Sequence, residues 1–127
     1  MPRVAYFEIH VENVSRAVSF YQHVFGWKFA KVKDIKSYWL VTTGPASEQG
    51  INGGMTVRQK DKQGELGTSY IGIINVPDID EYSSKIRDEG ESVIQPFIPV
   101  PGVGNITYCR DTEGNLFGIK QEIPQKA

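Results

Sequence analysis

The sequence predicts an α+β fold of two βαβββ modules whose sheets form a cup or partial barrel. Three observations predict it. A strand-like segment leads through a side-chain cap into an apolar helical stripe that stops at a glycine. The same order returns 65 residues later, with Val11-x-Asn13-Val14 matching Val76-x-Asp78-Ile79 without gaps. Each helix is then followed by short β-rich segments separated by Gly, Pro, Asn and Asp, the residues that turn a chain. A length of 127 residues suits one domain with one core, here 1–127 with modules at about 3–60 and 66–122.

The elements follow in order. Residues 4–11 set Phe7, Ile9 and Val11 against Glu8 and His10, the period of a strand. Asn13 offers a side-chain oxygen to the free amides of a first helical turn. Val14, Ala17, Val18, Tyr21 and Phe25 recur at helical spacing and Gly26 ends the pattern, giving a helix over 14–25. Strands are expected at roughly 27–32, 37–43 and 54–59, with a Gly/Pro/Ser/Asn loop over 44–53. Polar residues 60–67 read as the connection between modules.

In the second module residues 69–76 read as a strand. Asp78, with Glu81 three residues on, makes a capping box. Ile79, Tyr82 and Ile86 form the stripe of a helix over 79–89, which Gly90 closes. Strands at about 91–95, 105–110 and 115–121 complete the set, with Asp111-Thr112-Glu113-Gly114 as the last turn. Residues 96–105 are rich in Pro and Gly yet apolar. They read as a loop that is a lid, a subunit contact or a segment packed on its own domain.

Apolar residues make up 39% and charged residues 23%, an ordinary globular balance. The net charge is −1 and the basic residues are dispersed, so neither nucleic acid nor a membrane is an expected partner. Cys109 is the only cysteine, so no internal disulfide can form; it reads as a small core residue. The opening residues enter a strand pattern at once, and no apolar run approaches membrane-spanning length. A cytoplasmic location is expected. His23, two positions after Tyr21, falls away from the helical stripe and is expected in water.

Several segments carry a resemblance. They are Phe7-Glu8-Ile9-His10-Val11, Ala17-Val18-Ser19-Phe20-Tyr21 with Val24-Phe25-Gly26-Trp27, and Asp111-Thr112-Glu113-Gly114-Asn115-Leu116-Phe117-Gly118. Together they resemble the vicinal-oxygen-chelate superfamily of glyoxalases, bleomycin-resistance proteins and dioxygenases. The nearest likeness is to its bacterial branch related to lactoylglutathione lyase, which Tyr38–Pro45 and Gly50–Gly54 also fit. The resemblance implies the paired βαβββ fold, a ligand cup and a homodimer. In metal-using members it implies one divalent ion held by His, Glu or Gln, one from each quarter of the cup, acting as a Lewis acid. The matching positions here are Tyr6, Gly53 or Gly54, Ile71 and Gly118. None is a usual ligand of such an ion, so no metal and no cofactor is expected.

By the same resemblance the Tyr6 position faces the cup, and alternation brings Glu8 and His10 to that face. A Glu and a His two apart on a strand serve as an acid–base pair or a polar hook, or else as a structural ion pair near a wet strand end. Ile71, Ile73 and Asn75 face inward on the duplicate strand, as an apolar wall for a ligand or as core filling. One of Tyr38 and Trp39 points inward, where an aromatic ring could stack on a ligand. Three functions follow. One is a metal-free protein that binds a small, partly apolar molecule. The second is a lyase or isomerase, either metal-free through Glu8 and His10 or with shifted metal ligands. The third is a structural or partner-binding domain whose cup is filled by side chains.

Overall fold

The computed structural model describes residues 2–35, 37–58, 70–93 and 98–122. The chain is an α+β protein of two βαβββ modules. It forms two compact units, Tyr6–Ile71 and Gly72–Ala127 with Met1–Ala5.

The first module contains β1 (Arg3–Val11), α1 (Val14–Phe25), β2 (Lys28–Lys31), β3 (Tyr38–Thr42) and β4 (Gly53–Val57). Its strands lie in the order β2-β3-β4-β1. β1 runs parallel to β4, with Glu8 opposite Gly54 and His10 opposite Thr56, and the other pairs are antiparallel. Asn13 caps α1 by accepting from Arg16 N, and Gly26 ends it in the left-handed conformation at φ 72°. Ile9, Val41 and Met55 form the core, and Val14, Ala17, Val18 and Tyr21 of the helix pack on it. Phe25, expected in that stripe, is exposed, because it falls in the last helical turn and lies against the rings of Tyr21 and Trp27.

The second module contains β5 (Tyr70–Asn75), α2 (Ile79–Asp88), β6 (Ile98–Val100), β7 (Gly104–Arg110) and β8 (Leu116–Gln121), with strands in the order β5-β8-β7-β6. Asp78 caps α2 by accepting from the amides of Asp80 and Glu81. Val76, Ile79, Cys109 and Ile119 make the core, so Cys109 is the packed residue expected of it. In the last turn Asp111 Oδ1 accepts from the amides of Glu113 and Asn115.

Of the strand expected at 91–95, Val93 makes a bridge to Cys109 and residues 94 and 95 lie outside the described residues. The stretch expected as a loop over 96–105 contains a strand, Ile98–Val100. Pro99 is tolerated because β6 is an outermost strand, where a missing amide need not break a ladder on both sides. Residues 94–97 and the 60–67 connection lie outside the described residues. Among the described residues no helix is long and apolar enough to cross a membrane.

Candidate functional site

The alternation of β1 separates two chemistries. Phe7, Ile9 and Val11 pack with the helix-covered core. Tyr6, Glu8 and His10 point to the other face and are buried, Glu8 at 0% exposure and His10 at 5%. His10 Nε2 lies 2.7 Å from Glu8 Oε1, and the Tyr38 hydroxyl donates to Glu8 Oε2 at 2.8 Å. The Tyr6 and Tyr38 hydroxyls are 2.9 Å apart. Tyr38 has one proton and gives it to Glu8, so Tyr6 donates to Tyr38. An ionised Glu8 only accepts, so His10 Nε2 carries the proton between them. The result is a buried hydrogen-bonded chain, Tyr6–Tyr38–Glu8–His10, in which Tyr38 comes from 30 and 32 positions beyond its partners Glu8 and Tyr6. Burial raises the pKa of both tyrosines above the usual phenol value, and the Glu8 carboxylate raises both further. Each therefore stays a neutral donor.

Gly54 makes this chain possible. A Cβ there would stand 2.6 Å from the Tyr6 hydroxyl and closer still to that of Tyr38. Two phenol groups thus occupy the space that a side chain at this position would need. The second module repeats the pattern with an apolar group, since a Cβ on Gly118 would stand 2.5 Å from Ile73 Cδ1.

The remaining sequence-predicted residues are distributed as follows. The register of β3 and β4 sends Tyr38 to the Glu8 face and Trp39 to the core of Ile9, Val41 and Met55, with Lys31 Nζ 5.4 Å from its ring. Ile71 and Ile73 are buried, at 1% and 0% exposure. Asn75 Oδ1 is buried and meets no hydrogen-bond donor among the described residues. His23 is exposed, with Nδ1 2.7 Å from the Ser19 carbonyl.

Sequence reasoning missed one feature. His10 also lines an open groove of about 390 Å³, whose walls include Arg16, Arg58, Phe20 and Tyr21. A signal for it was available: Arg16 is a cation in the first turn of α1, a turn with no acidic residue, where the helix dipole disfavours positive charge.

The chain is a duplicated βαβββ domain with a carboxylate buried among a histidine and two tyrosines in its first module. The chain belongs to the Glyoxalase/Bleomycin resistance protein/Dioxygenase superfamily, whose profile matches residues 3–119. No curated protein matches it in sequence. Among solved structures, a methylmalonyl-CoA epimerase in complex with methylmalonyl-CoA and NH4+ is similar, at 16% identity and a TM-score of 0.71, over 100% of this chain and 99% of that one. The methylmalonyl-CoA epimerase from Mycobacterium tuberculosis is similar at 14% identity and a TM-score of 0.66, over 94% and 87%. A hypothetical protein from Bacillus halodurans C-125 is similar at 12% identity and a TM-score of 0.67, over 98% and 97%. At these identities the likeness establishes the fold alone.

The divalent ion that the family implies does not fit the residues at its expected positions. Gly54, Ile71 and Gly118 have no donor side chain, and the Tyr6 hydroxyl is held by Tyr38. The space at Gly54 and Gly118 is filled by Tyr38 and Ile73. Among the described residues no group of three or more His, Cys, Asp and Glu side chains is arranged to hold a metal.

Proposed function

We propose that this chain binds a small, partly apolar molecule without the metal of its family, with Glu8 and His10 as the polar anchor. The observation that carries this reading is the buried chain Tyr6–Tyr38–Glu8–His10, whose last member also lines an open groove. A buried carboxylate is costly unless hydrogen-bonded. Here its hydrogen bonds fix the orientation of the His10 ring. Sites of this kind combine apolar walls with a few well-placed polar groups. Ile71, Ile73, Asn75 and Tyr38 are the further candidates for contact, and Trp39 acts through packing.

The test begins with elemental analysis of purified protein, for which less than about a tenth of an equivalent of Zn, Ni, Fe or Mn is expected. A thermal-shift screen of small aromatic and acyl compounds follows, since a ligand of the folded state raises the melting point. Losing a hydrogen bond to the ligand weakens binding roughly tenfold to a hundredfold. The affinity of a hit should fall by that factor in Glu8→Gln and His10→Gln. Stoichiometric metal, or hits that bind both folded variants unchanged, would overturn the reading. A cytoplasmic homodimer is part of the same proposal. Sedimentation equilibrium at micromolar concentration tests the dimer, and fractionation of the source cells tests the location.

A second reading is favoured by the 2.7 Å contact of His10 with Glu8, a geometry suited to proton transfer. The similar solved structures include methylmalonyl-CoA epimerases. On this reading the chain is a metal-free lyase or isomerase acting through Glu8 and His10. Incubation with methylmalonyl-CoA in deuterated buffer, followed by proton NMR, tests it with that substrate. Exchange no faster than in protein-free buffer would remove that substrate.

A further inference from the structure

We infer that the exposed flank of α1 formed by Phe20, Val24 and Phe25 is the face through which two copies of this chain pair, their α1 helices antiparallel across a twofold axis near Phe20. The inference gives the homodimer proposed above its contact face. It rests on that homodimer and on nothing in the ligand reading.

The helix carries more apolar surface than its own sheet uses. Val14, Ala17, Val18 and Tyr21 pack on the core of Ile9, Val41 and Met55. Phe20 and Val24 stand three and seven residues after Ala17, so they run beside that stripe as a second one. They are 54% and 56% exposed, and Phe25 at the helix end is 59% exposed. The rings form a connected surface. Phe20 lies edge-on to Tyr21 at 5.2 Å and 6.4 Å from Phe25, and Tyr21 is stacked on Trp27 at 4.9 Å. Rings held in place before contact lose little freedom on binding. An aromatic side chain offers about 150–250 Å², so these exposures leave roughly 300 Å² of apolar surface on each copy. That is a patch of functional size, and a substantial share of the about 800 Å² that each partner of a stable pair covers. Charge argues for a second copy as the occupant. Residues Val14–Phe25 include no Asp or Glu, and their only Arg or Lys is Arg16, in the first turn. An antiparallel pair sets the two Arg16 side chains at opposite ends of the contact. Each then lies toward the C-terminal end of the partner's helix, where a cation is favoured. The centre is left aromatic and uncharged, the composition of an interface core, and one patch complements itself as a twofold contact requires.

Sedimentation equilibrium of the full chain tests the face. Wild-type protein is expected to dimerise at micromolar concentration. Phe20→Ser and Val24→Ser should each weaken pairing about tenfold or more, as loss of an apolar anchor from the centre of a contact does, while Phe20→Leu stays within about threefold. Gln22→Glu is the control: two positions on from Phe20 it lies on the other side of the helix and should change pairing less than about threefold. All three positions are exposed, so the variants keep the core, and circular dichroism checks the fold. Proximity is read with a short bismaleimide. Phe20→Cys should cross-link into dimers and Gln22→Cys should not, and the fully buried Cys109 does not compete. The inference is overturned if the folded serine variants pair as the wild type does, or if Gln22→Cys cross-links as well as Phe20→Cys; either result keeps the homodimer and moves it to another face. A monomeric wild type overturns the inference and the homodimer together, and its flotation with phosphatidylglycerol vesicles would assign the flank to lipid. Ligand affinity in Glu8→Gln and His10→Gln is read independently of all these results.

Discussion

Replacing Gly54 by alanine is the most direct probe of the hydroxyl pair. The new methyl group meets the Tyr6 hydroxyl at 2.6 Å and the Tyr38 hydroxyl closer still, well inside contact distance. Gly54 is on β4 between β3 and β1, so the backbone cannot retreat and the rings must move. Overpacking of this kind costs about 1–3 kcal/mol. A displaced Tyr38 also leaves Glu8 short of a donor in a fully buried position, a further loss of about 1–3 kcal/mol. Alanine recovers about 0.5–1 kcal/mol of chain entropy, so the net destabilisation is about 2–4 kcal/mol. Urea unfolding at neutral pH measures it. Gly72→Ala is the control, since its methyl group would lie 3.8 Å from the nearest atom, Val4 Cγ1. Tyr38→Phe removes the same hydrogen bond, so the double variant should cost about 1–2 kcal/mol less than the two single changes together. A Gly54→Ala protein within about 0.5 kcal/mol of wild type, or strict additivity with Tyr38→Phe, would refute the account of this site.

The second module offers the apolar counterpart. Gly118→Ala should cost about 1–3 kcal/mol, and Ile73→Val, which removes the clashing Cδ1, should make the pair less than additive in a denaturant cycle. Burial pushes the Cys109 thiol up from 9.0 to about 11, against a smaller opposing pull from Arg87. A pKa raised by folding gives stability that is full below the unfolded value and lost as pH rises towards the folded one. Roughly 3 kcal/mol should therefore disappear between about pH 9 and 11, with Cys109→Ala flattening that slope in urea titrations. Tyr6 and Tyr38 add a loss of the same sign that begins near their unfolded value of 10.0, and Tyr6→Phe should diminish it. Asp78→Ala should cost about 1 kcal/mol by leaving the amides of Asp80 and Glu81 without their acceptor, read as a lower thermal midpoint.

The helices could be read from the sequence almost to the residue, because both their starts are written in short polar side chains. Asn13 and Asp78 satisfy amides that nothing else reaches. The face shared by Tyr6, Glu8 and His10 was also legible, since strand alternation is a local property. Tyr38 was not: its place beside Glu8 depends on the pairing of β3 with β4, and neither neighbour of the Tyr38-Trp39 pair reveals that register. The adjacent glycines 53 and 54 were the available clue, because glycine inside a strand marks a close approach. In sequence Gly54 shows only a missing ligand, whereas the fold places two hydroxyls beside it. The strand at Ile98–Val100 was hidden by its prolines, which suggest a loop unless the position at a sheet border is known.

Pro99 in that strand also bears on what the protein does not become. It stands opposite Asn105 on the outermost strand of its module. A sheet border normally presents a row of amides and carbonyls that a foreign strand can read, and such borders are where ordered aggregates start. β6 is only three residues long, its middle residue has no amide to give, and a second proline follows at 101. A chain arriving at this border finds too few donors to build a ladder, so growth by strand addition is stopped there by covalent structure and needs no charge or covering loop.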